Sequence, residues 1–265
     1  MPYDQKRSKS RSPIKAPPLR AAGQSVGEEL DRLIKSRAYP YLFAAVCAWL
    51  LAGLETWKTY THAPPSPIIY FALAIAVSAI AFWRILAVRK VAKRLRLAQQ
   101  GERTVGQYLE RLRESGFHVF HDVVGEGFNI DHVLIGEKGV YAIETKTRSK
   151  PARGDSKIHY ANGQLFANGH RIDRNPLVQG RAAASWLSAT LNESTGRTVP
   201  VHPVVLFPGW WVDPLPPGRS KEIWVLEPKA LPAFLDGESK RLAPEDVKLL
   251  SFHLSRYVRQ TNEPR

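Results

Sequence analysis

The sequence predicts an α/β fold, with a mixed central sheet flanked by helices and preceded by a two-helix transmembrane hairpin. Two stretches without any charged residue, 38–54 and 63–83, predict the hairpin. From Gly101 onward, apolar runs with strand-like alternation are interspersed with runs of helical periodicity. Strands that alternate with helices are typical of a sheet whose faces are covered by helices.

The segment before the hairpin is strongly basic. The chain of 265 residues has a formal net charge of +14, and many of its lysines and arginines lie in the first 37 positions. Such a charge indicates a polyanionic partner, which can be nucleic acid, membrane lipid or both. We expect residues 1–37 to form a basic, largely disordered cytoplasmic segment, most clearly up to residue 18, where lysine, arginine, serine and proline dominate.

The only cysteine of the chain, Cys47, lies inside the first apolar stretch. A single cysteine excludes a disulfide framework within one chain and also a zinc site of the Cys-x-x-Cys type. This composition fits a protein whose globular part resides in a reducing compartment.

The two apolar stretches have the length and flanks of membrane-spanning helices. A helix needs about 20 apolar residues to cross the hydrocarbon core, and residues 63–83 meet that requirement. The first stretch is shorter, and we expect aromatic residues at its ends to lie at the two interfaces: Tyr39, Tyr41, Trp57 and Tyr60. Basic clusters flank the outer ends of the pair, so the positive-inside rule places both termini in the cytoplasm of an inner or plasma membrane. The alternatives are a buried helical hairpin of a soluble protein and, further from the pattern, a cleaved signal peptide.

The chain divides into the hairpin at 38–88, a basic linker helix at 89–100, a domain core at 101–207 and a C-terminal strand and helices at 208–265 that complete the domain. Helices are expected at 103–115, 176–192 and 244–256. Strands are expected at 117–124, 129–135, 139–146, 201–207 and 222–226, with short β-like pieces at 157–160 and 170–172.

Two carboxylates and a lysine fall on the adjacent expected strands 129–135 and 139–146. Period-two alternation points Glu144 and Lys146 to one face of their strand. Asp131 lies on the neighbouring strand across a short turn. Mg²⁺ and Mn²⁺ prefer hard oxygen ligands and keep several waters, so Asp131, Glu144 and the carbonyl of Thr145 can form a metal site. In such a site Lys146 would orient a water or stabilise charge on a phosphoryl group, and Glu102, at a helix start, would add a ligand or position the water.

The same residues also have ordinary structural explanations. A carboxylate at a strand end is usually a solvated surface group. A glutamate two residues before a lysine on one strand face can be only an ion pair worth a fraction of a kcal/mol. The spacing by itself leaves these explanations open.

The order of several motifs resembles that of the nuclease-related domain, NERD. The resemblance covers roughly residues 100–207 and rests on these stretches: Gly101-Glu102, 129–136, 139–146, Asn175-Pro176 and Gln179. It implies a restriction-endonuclease-like fold, dependence on Mg²⁺ or Mn²⁺, and DNA or RNA as substrate. By position, the family's acidic and basic core falls on Glu102, Asp131, Glu144 and Lys146. The family's helical glutamine falls on Gln179, near a metal-bound water or a substrate phosphate.

Three further groups of residues have both a functional and a purely structural explanation. Arg148 and Lys150 follow the candidate centre and would approach phosphate naturally, although a solvated basic loop explains them equally well. Trp210 and Trp211 could stack on bases, but aromatic pairs beside glycine and proline more often anchor a loop in a small core. His132 lies on the strand face opposite to Asp131 and is expected to pack or hydrogen-bond there.

The expected function is that of a membrane-anchored, metal-dependent nuclease that hydrolyses phosphodiester bonds of DNA or RNA. One alternative is a membrane-tethered nucleic-acid-binding or scaffold module of the same fold with little or no catalysis. Another is that the hairpin and basic tail are the functional part and the domain recognises a protein partner.

Overall fold

The computed structural model describes residues 19–58, 60–61, 66–150, 156–216, 218 and 221–261. The helices in this part of the chain are α1 (Gln24–Arg37), α2 (Tyr39–Trp57), α3 (Pro67–Glu110), α4 (Pro176–Thr195), α5 (Leu231–Asp236) and α6 (Pro244–Thr261). The strands are β1 (His118–Val124), β2 (Asn129–Gly136), β3 (Gly139–Thr145), β4 (Lys157–Ala161), β5 (Gln164–Ala167), β6 (His170–Arg171), β7 (Val201–Leu206), β8 (Trp211–Val212) and β9 (Trp224–Leu226).

The N-terminal segment contains a helix, α1, where the sequence predicted disorder. Residues 1–18 of that expectation lie outside the described residues, but for Gln24–Arg37 it is wrong. The high charge concealed an apolar stripe, in which Val26 and Leu30 recur at helical spacing. Leu30 is buried, and α1 packs along α3.

Helices α2 and α3 form an antiparallel pair. Small residues bring the backbones together, with Ala48, Ala52 and Ala74 in one buried cluster. The Trp49 indole N–H donates to Ser78 Oγ at 2.9 Å. Two helical segments in the described part of the chain, Gln24–Trp57 and Pro67–Arg113, are long and apolar enough to cross a membrane.

Helix α3 is one uninterrupted element of 44 residues. It merges the second apolar stretch, the expected linker helix at 89–100 and the first expected helix of the domain. Gly101 permits the close approach of α3 to the strand end after β3, because a Cβ at this position would stand 1.6 Å from Thr147 Oγ1. The expected boundary between linker and domain therefore falls inside a continuous helix.

The central sheet has five strands in the order β1-β2-β3-β7-β9. Strands β1, β2 and β3 pair antiparallel, whereas β3, β7 and β9 are parallel. One face of the sheet packs against α4 and α6, and the other against α3 and α5. The prediction of a mixed sheet flanked by helices is confirmed.

A second, smaller sheet has the order β6-β5-β4-β8. Two Asn-Gly turns bound β5, and the residues of the first, Asn162 and Gly163, both have positive φ (49° and 78°). This conformation is typical of the two-residue turns that connect antiparallel strands. The sequence predicted only β4 and β6 here, so β5 and β8 are additions from the structure.

Candidate active site

The pairing of β2 with β3 brings the two predicted carboxylates opposite one another. His132 pairs with Ile143, so the next position along each strand places Asp131 across from Glu144. Val133 lies two residues after Asp131, Ala142 lies two residues before Glu144, and both are part of one buried core. Because side chains two residues apart on a strand point to the same face, both carboxylates lie on the face of that core. The backbone N–H of Thr145 donates to Asp131 Oδ2 at 2.6 Å. This bond holds the Asp131 carboxylate at the end of β3.

Lys146 follows directly after β3 and forms an ion pair with Glu144. Its backbone N–H donates to the carbonyl of Leu206 at 2.8 Å, so the parallel pairing with β7 fixes its position. Both side chains of the ion pair are largely shielded, with 24% of Lys146 and 13% of Glu144 exposed. The lysine ammonium therefore lies at the same strand end as the two carboxylates.

Glu102 reaches the site from α3. Its side chain is buried, and burial raises its pKa from 4.5 to about 7. The negative charges of Asp122 and Glu144 act in the same direction, and the positive charge of Lys146 partly opposes them. Glu102 is thus within electrostatic reach of the strand-end residues.

Asp131 experiences the same conflict of charges. Burial raises its pKa well above the ordinary value, and the carboxylates of Glu144 and Glu102 raise it further. The Thr145 N–H and the Lys146 ammonium act against this rise. A cation at this strand end would act in the same direction as the Lys146 ammonium and favour the ionised forms of Asp131 and Glu102.

The donors at the strand end fit a hard divalent cation. Three buried oxygens in this part of the described chain have no hydrogen-bond partner: Thr145 Oγ1, Thr147 Oγ1 and Gln179 Oε1. Among the described residues, no three side chains of the types His, Cys, Asp and Glu are grouped closely enough to hold one ion. The predicted set needs only two carboxylates and a backbone carbonyl, and Mg²⁺ is often bound by one or two carboxylates with several waters.

Gln179 lies in the first turns of α4. The helix begins behind Asn175, whose side chain accepts from the backbone N–H of Leu177 at 3.1 Å. Ala183, one turn after Gln179, packs in the same core as Ala142 of β3. Helix α4 connects to β7, which pairs parallel with β3. Gln179 is half-buried, and it lies one turn before the part of α4 that packs against β3.

Residues 97–208 match the family model described as the nuclease-related domain, NERD. This part of the chain is a NERD domain. The match contains all of the predicted site residues, from Glu102 on α3 to Gln179 on α4. No curated protein matches the chain.

One solved structure with similarity to the chain is the crystal structure of protein VC1899 from Vibrio cholerae. The two share 12% sequence identity with a TM-score of 0.26, and the similarity covers 91% of this chain and 57% of that chain. The chain thus spans little more than half the length of VC1899.

Arg148 and Lys150 lie on the segment that follows β3 and leads away from the candidate active site. The carbonyl of Arg148 accepts from the Trp210 indole N–H at 3.3 Å. The Lys150 side chain lies beside Gly209. Trp210 is 3% exposed and anchors its loop, as favoured from the sequence, whereas Trp211 is 71% exposed.

His132 is fully buried on the face opposite to Asp131. Its Nδ1 lies 2.9 Å from Nδ1 of His121, and one of these nitrogens donates to the other. Burial and the neighbouring histidine lower the pKa of His132 well below the ordinary value. The prediction that His132 packs and hydrogen-bonds on that face is confirmed.

Sequence reasoning missed Asp122, a buried carboxylate on β1 of the NERD domain. Asp122 has a positive φ of 51° and accepts hydrogen bonds from Arg20 Nε at 2.7 Å and from the backbone N–H of Ser25 at 2.9 Å. Its charge contributes to the raised pKa of Glu102. The available signal was a lone acid inside an apolar strand, but its partners lie about a hundred residues earlier in the chain.

Proposed function

We propose that the NERD domain is a metal-dependent nuclease that hydrolyses phosphodiester bonds of DNA or RNA, and that α2 and α3 anchor it in a membrane. The observation that supports the chemistry best is the convergence of Asp131, Glu144 and Lys146 at one end of β3, with buried Glu102 within electrostatic reach. Carboxylates and a lysine at one point are the groups that phosphoryl transfer with a divalent cation requires.

Asp131, Glu144 and the carbonyl of Thr145 would hold Mg²⁺ or Mn²⁺. The bound ion supplies polarisation of the phosphoryl oxygen and a lowered pKa for an attacking water. Lys146, no longer needed to neutralise Glu144, is then free to stabilise the charge that develops on the phosphoryl group. Glu102, with its pKa near neutrality, is suited to accept a proton from a water in the site. Gln179 would orient that water, and Arg148 and Lys150 would contact flanking phosphates.

The nuclease activity is tested with the full chain in detergent, against double-stranded DNA, single-stranded DNA and RNA. Cleavage should require Mg²⁺ or Mn²⁺ and should be lost in Lys146→Ala and Asp131→Asn. Lys138→Ala is the matched control, because Lys138 lies in the turn at the opposite end of β3 and pairs with Asp236. Cleavage that survives both site substitutions, or that proceeds in EDTA, contradicts the assignment.

Metal binding is measured separately by titrating Mn²⁺ into the full chain in a calorimeter. Asp131→Asn and Glu144→Gln should each weaken binding about 10- to 100-fold, whereas the exposed Asp173→Asn should not. Nucleic-acid binding with a steep salt dependence but without turnover on any substrate would favour the non-catalytic module instead.

The proposal of a membrane anchor rests on the exposed apolar surface of α2 and α3. A helical hairpin inside a soluble protein buries its apolar side chains, but Phe43, Leu50 and Leu54 on α2 are 62% to 71% exposed. On α3, Ile68 is 82% exposed and Trp83 is 71% exposed. Contiguous apolar surface of this kind is costly in water and is typical of lipid-facing helices.

The orientation follows from the charges at the outer ends of the two helices. Lys35 and Arg37 precede α2, and α3 becomes basic from Arg84 onward, so both termini and the NERD domain are assigned to the cytoplasm of the inner or plasma membrane. A fluorescent protein that folds only in the cytoplasm, fused after Arg265, should be bright and should remain in the membrane fraction at alkaline pH. A soluble or dark fusion contradicts the anchor or its orientation.

A further inference from the structure

An apolar groove of about 940 Å³ lies beside the segment that leaves the candidate active site. Its lining is mostly apolar and includes four aromatic residues and one lysine: Trp210, Trp211, Trp224, Phe234 and Lys229. A cleft of this size is large enough to bury most of a drug-sized ligand.

The groove presents aromatic rings to solvent. Trp211 is 71% exposed and Phe234 is 42% exposed, although both line the same cleft. Behind them, the buried Trp224 ring lies 5.4 Å from Phe234 at 66° and 5.4 Å from Tyr141 in a stacked arrangement. Rigid inner rings with exposed outer rings are the arrangement on which flat, apolar ligand faces stack.

One lysine lines the groove and a second lies beside a residue of its lining. The Lys150 ammonium lies 3.6 Å from the position that a Cβ would take on Gly209, and Lys229 also lines the cleft. The acid in the lining, Glu227, is engaged in the fold, because its carboxylate accepts from the backbone N–H of Lys229 at 2.8 Å. The groove therefore combines stacking surfaces with positive charge.

A short segment of chain connects the candidate active site to the groove. Only residues 147–149 separate Lys146 from Lys150, and the Trp210 indole is hydrogen-bonded to the carbonyl of Arg148. A polyanion whose phosphates follow Arg148 and Lys150 away from the site would thus arrive at the aromatic rings.

We propose that this groove binds an unpaired nucleobase, so that the substrate of the proposed nuclease is single-stranded DNA or RNA, or a single-stranded stretch within a longer molecule. This inference rests on the proposed function for the position of the scissile phosphate. A base in a duplex is stacked on both faces, and only an unpaired base can offer a face to Trp211 and Phe234. Lys150 and Lys229 hold the phosphates on either side of that base.

The test measures binding of a fluorescent 12-nucleotide oligothymidylate and of a 12-base-pair duplex to the full chain in detergent with EDTA. Stacking on an aromatic side chain changes affinity by roughly 5- to 100-fold per base, so Trp211→Ala and Phe234→Ala should each weaken the single strand at least about fivefold and leave the duplex unchanged. Phe252→Ala is the matched control, because Phe252 is also exposed (59%) but lies on α6. Lys150→Ala should reduce the salt dependence of single-strand binding, whereas Lys248→Ala on α6 should not.

The result separates this inference from the proposed nuclease activity, because binding in EDTA needs no cleavage. If no substrate is cleaved but Trp211→Ala still weakens the single strand selectively, the groove assignment stands and the nuclease assignment falls. If Trp211→Ala weakens binding of the single strand and of the duplex equally, or weakens neither, the groove assignment is wrong. It is also wrong if Trp211→Ala instead abolishes binding to lipid vesicles or self-association of the chain while oligonucleotide binding persists.

Discussion

The substitution Glu102→Gln tests the electrostatic description of the site in the absence of metal. The pKa of Glu102 is raised from 4.5 to about 7, first by burial and then by the charges of Asp122 and Glu144. A carboxylate with a raised pKa in the folded state binds more protons there than in the unfolded chain, so the folded state loses stability as pH rises from 4.5 to about 7. At 1.36 kcal/mol per pH unit, the full effect is about 3 kcal/mol, of which about 2 to 3 kcal/mol falls between pH 5 and pH 8.

The assay is urea unfolding of the full chain in detergent with EDTA, followed by tryptophan fluorescence at several pH values. The stability of Glu102→Gln relative to wild type should increase by about 2 to 3 kcal/mol from pH 5 to pH 8, because the glutamine cannot ionise. Glu114→Gln, at an exposed glutamate close after α3, should show no such trend. Saturating Mn²⁺ should reduce the pH dependence of wild type, because a cation favours the ionised acids.

A relative stability that does not change with pH would refute this description, since it would show that Glu102 is ionised in the folded protein without cost. A change in the opposite direction would show that a positive group holds Glu102 ionised. Both outcomes would also remove the basis for assigning Glu102 as a proton acceptor near neutral pH.

Two further substitutions test how the site is held. Arg20→Ala removes the buried partner of Asp122 and should destabilise the NERD domain by about 3 to 5 kcal/mol in urea unfolding, because a buried charge is left without its cation. Adding Asp122→Asn to the same chain should restore much of the lost stability. If stability is not restored, the ion pair is not important for folding. Gly101→Ala places a Cβ 1.6 Å from Thr147 Oγ1 and should cost about 1 to 3 kcal/mol and lower Mn²⁺ affinity. Gly53→Ala, where a Cβ meets open space, is the helical control, and equal effects of the two would show that the close approach at Gly101 is not important.

The opposition of the two carboxylates could be predicted from the sequence because it depends on local geometry. Gly136 pairs with Gly139 across a two-residue turn, and this register alone sets Asp131 across from Glu144. Period-two alternation then puts both on one face. Turn length and strand periodicity are properties that a single sequence contains.

The surroundings of the carboxylates could not be predicted in the same way because they depend on contacts between distant parts of the chain. Asp122 is held by Arg20 and Ser25, residues that a charge count assigned to a disordered segment. The exposure of Trp211 beside buried Trp210 depends on β8, a two-residue strand paired with β4. Neither feature has a local signal, since each arises only when separate elements pack together.

Helix α3 connects the proposed anchor directly to the proposed chemistry. Arg84 marks the end of its uncharged stretch and Glu102 faces the site, and about 27 Å of helix separates them at 1.5 Å per residue. No proline interrupts the helix between these residues, and α1 packs along it. Under the proposed anchor and the proposed nuclease activity, this helix would act as a stiff spacer between the lipid surface and a nucleic acid at the candidate active site.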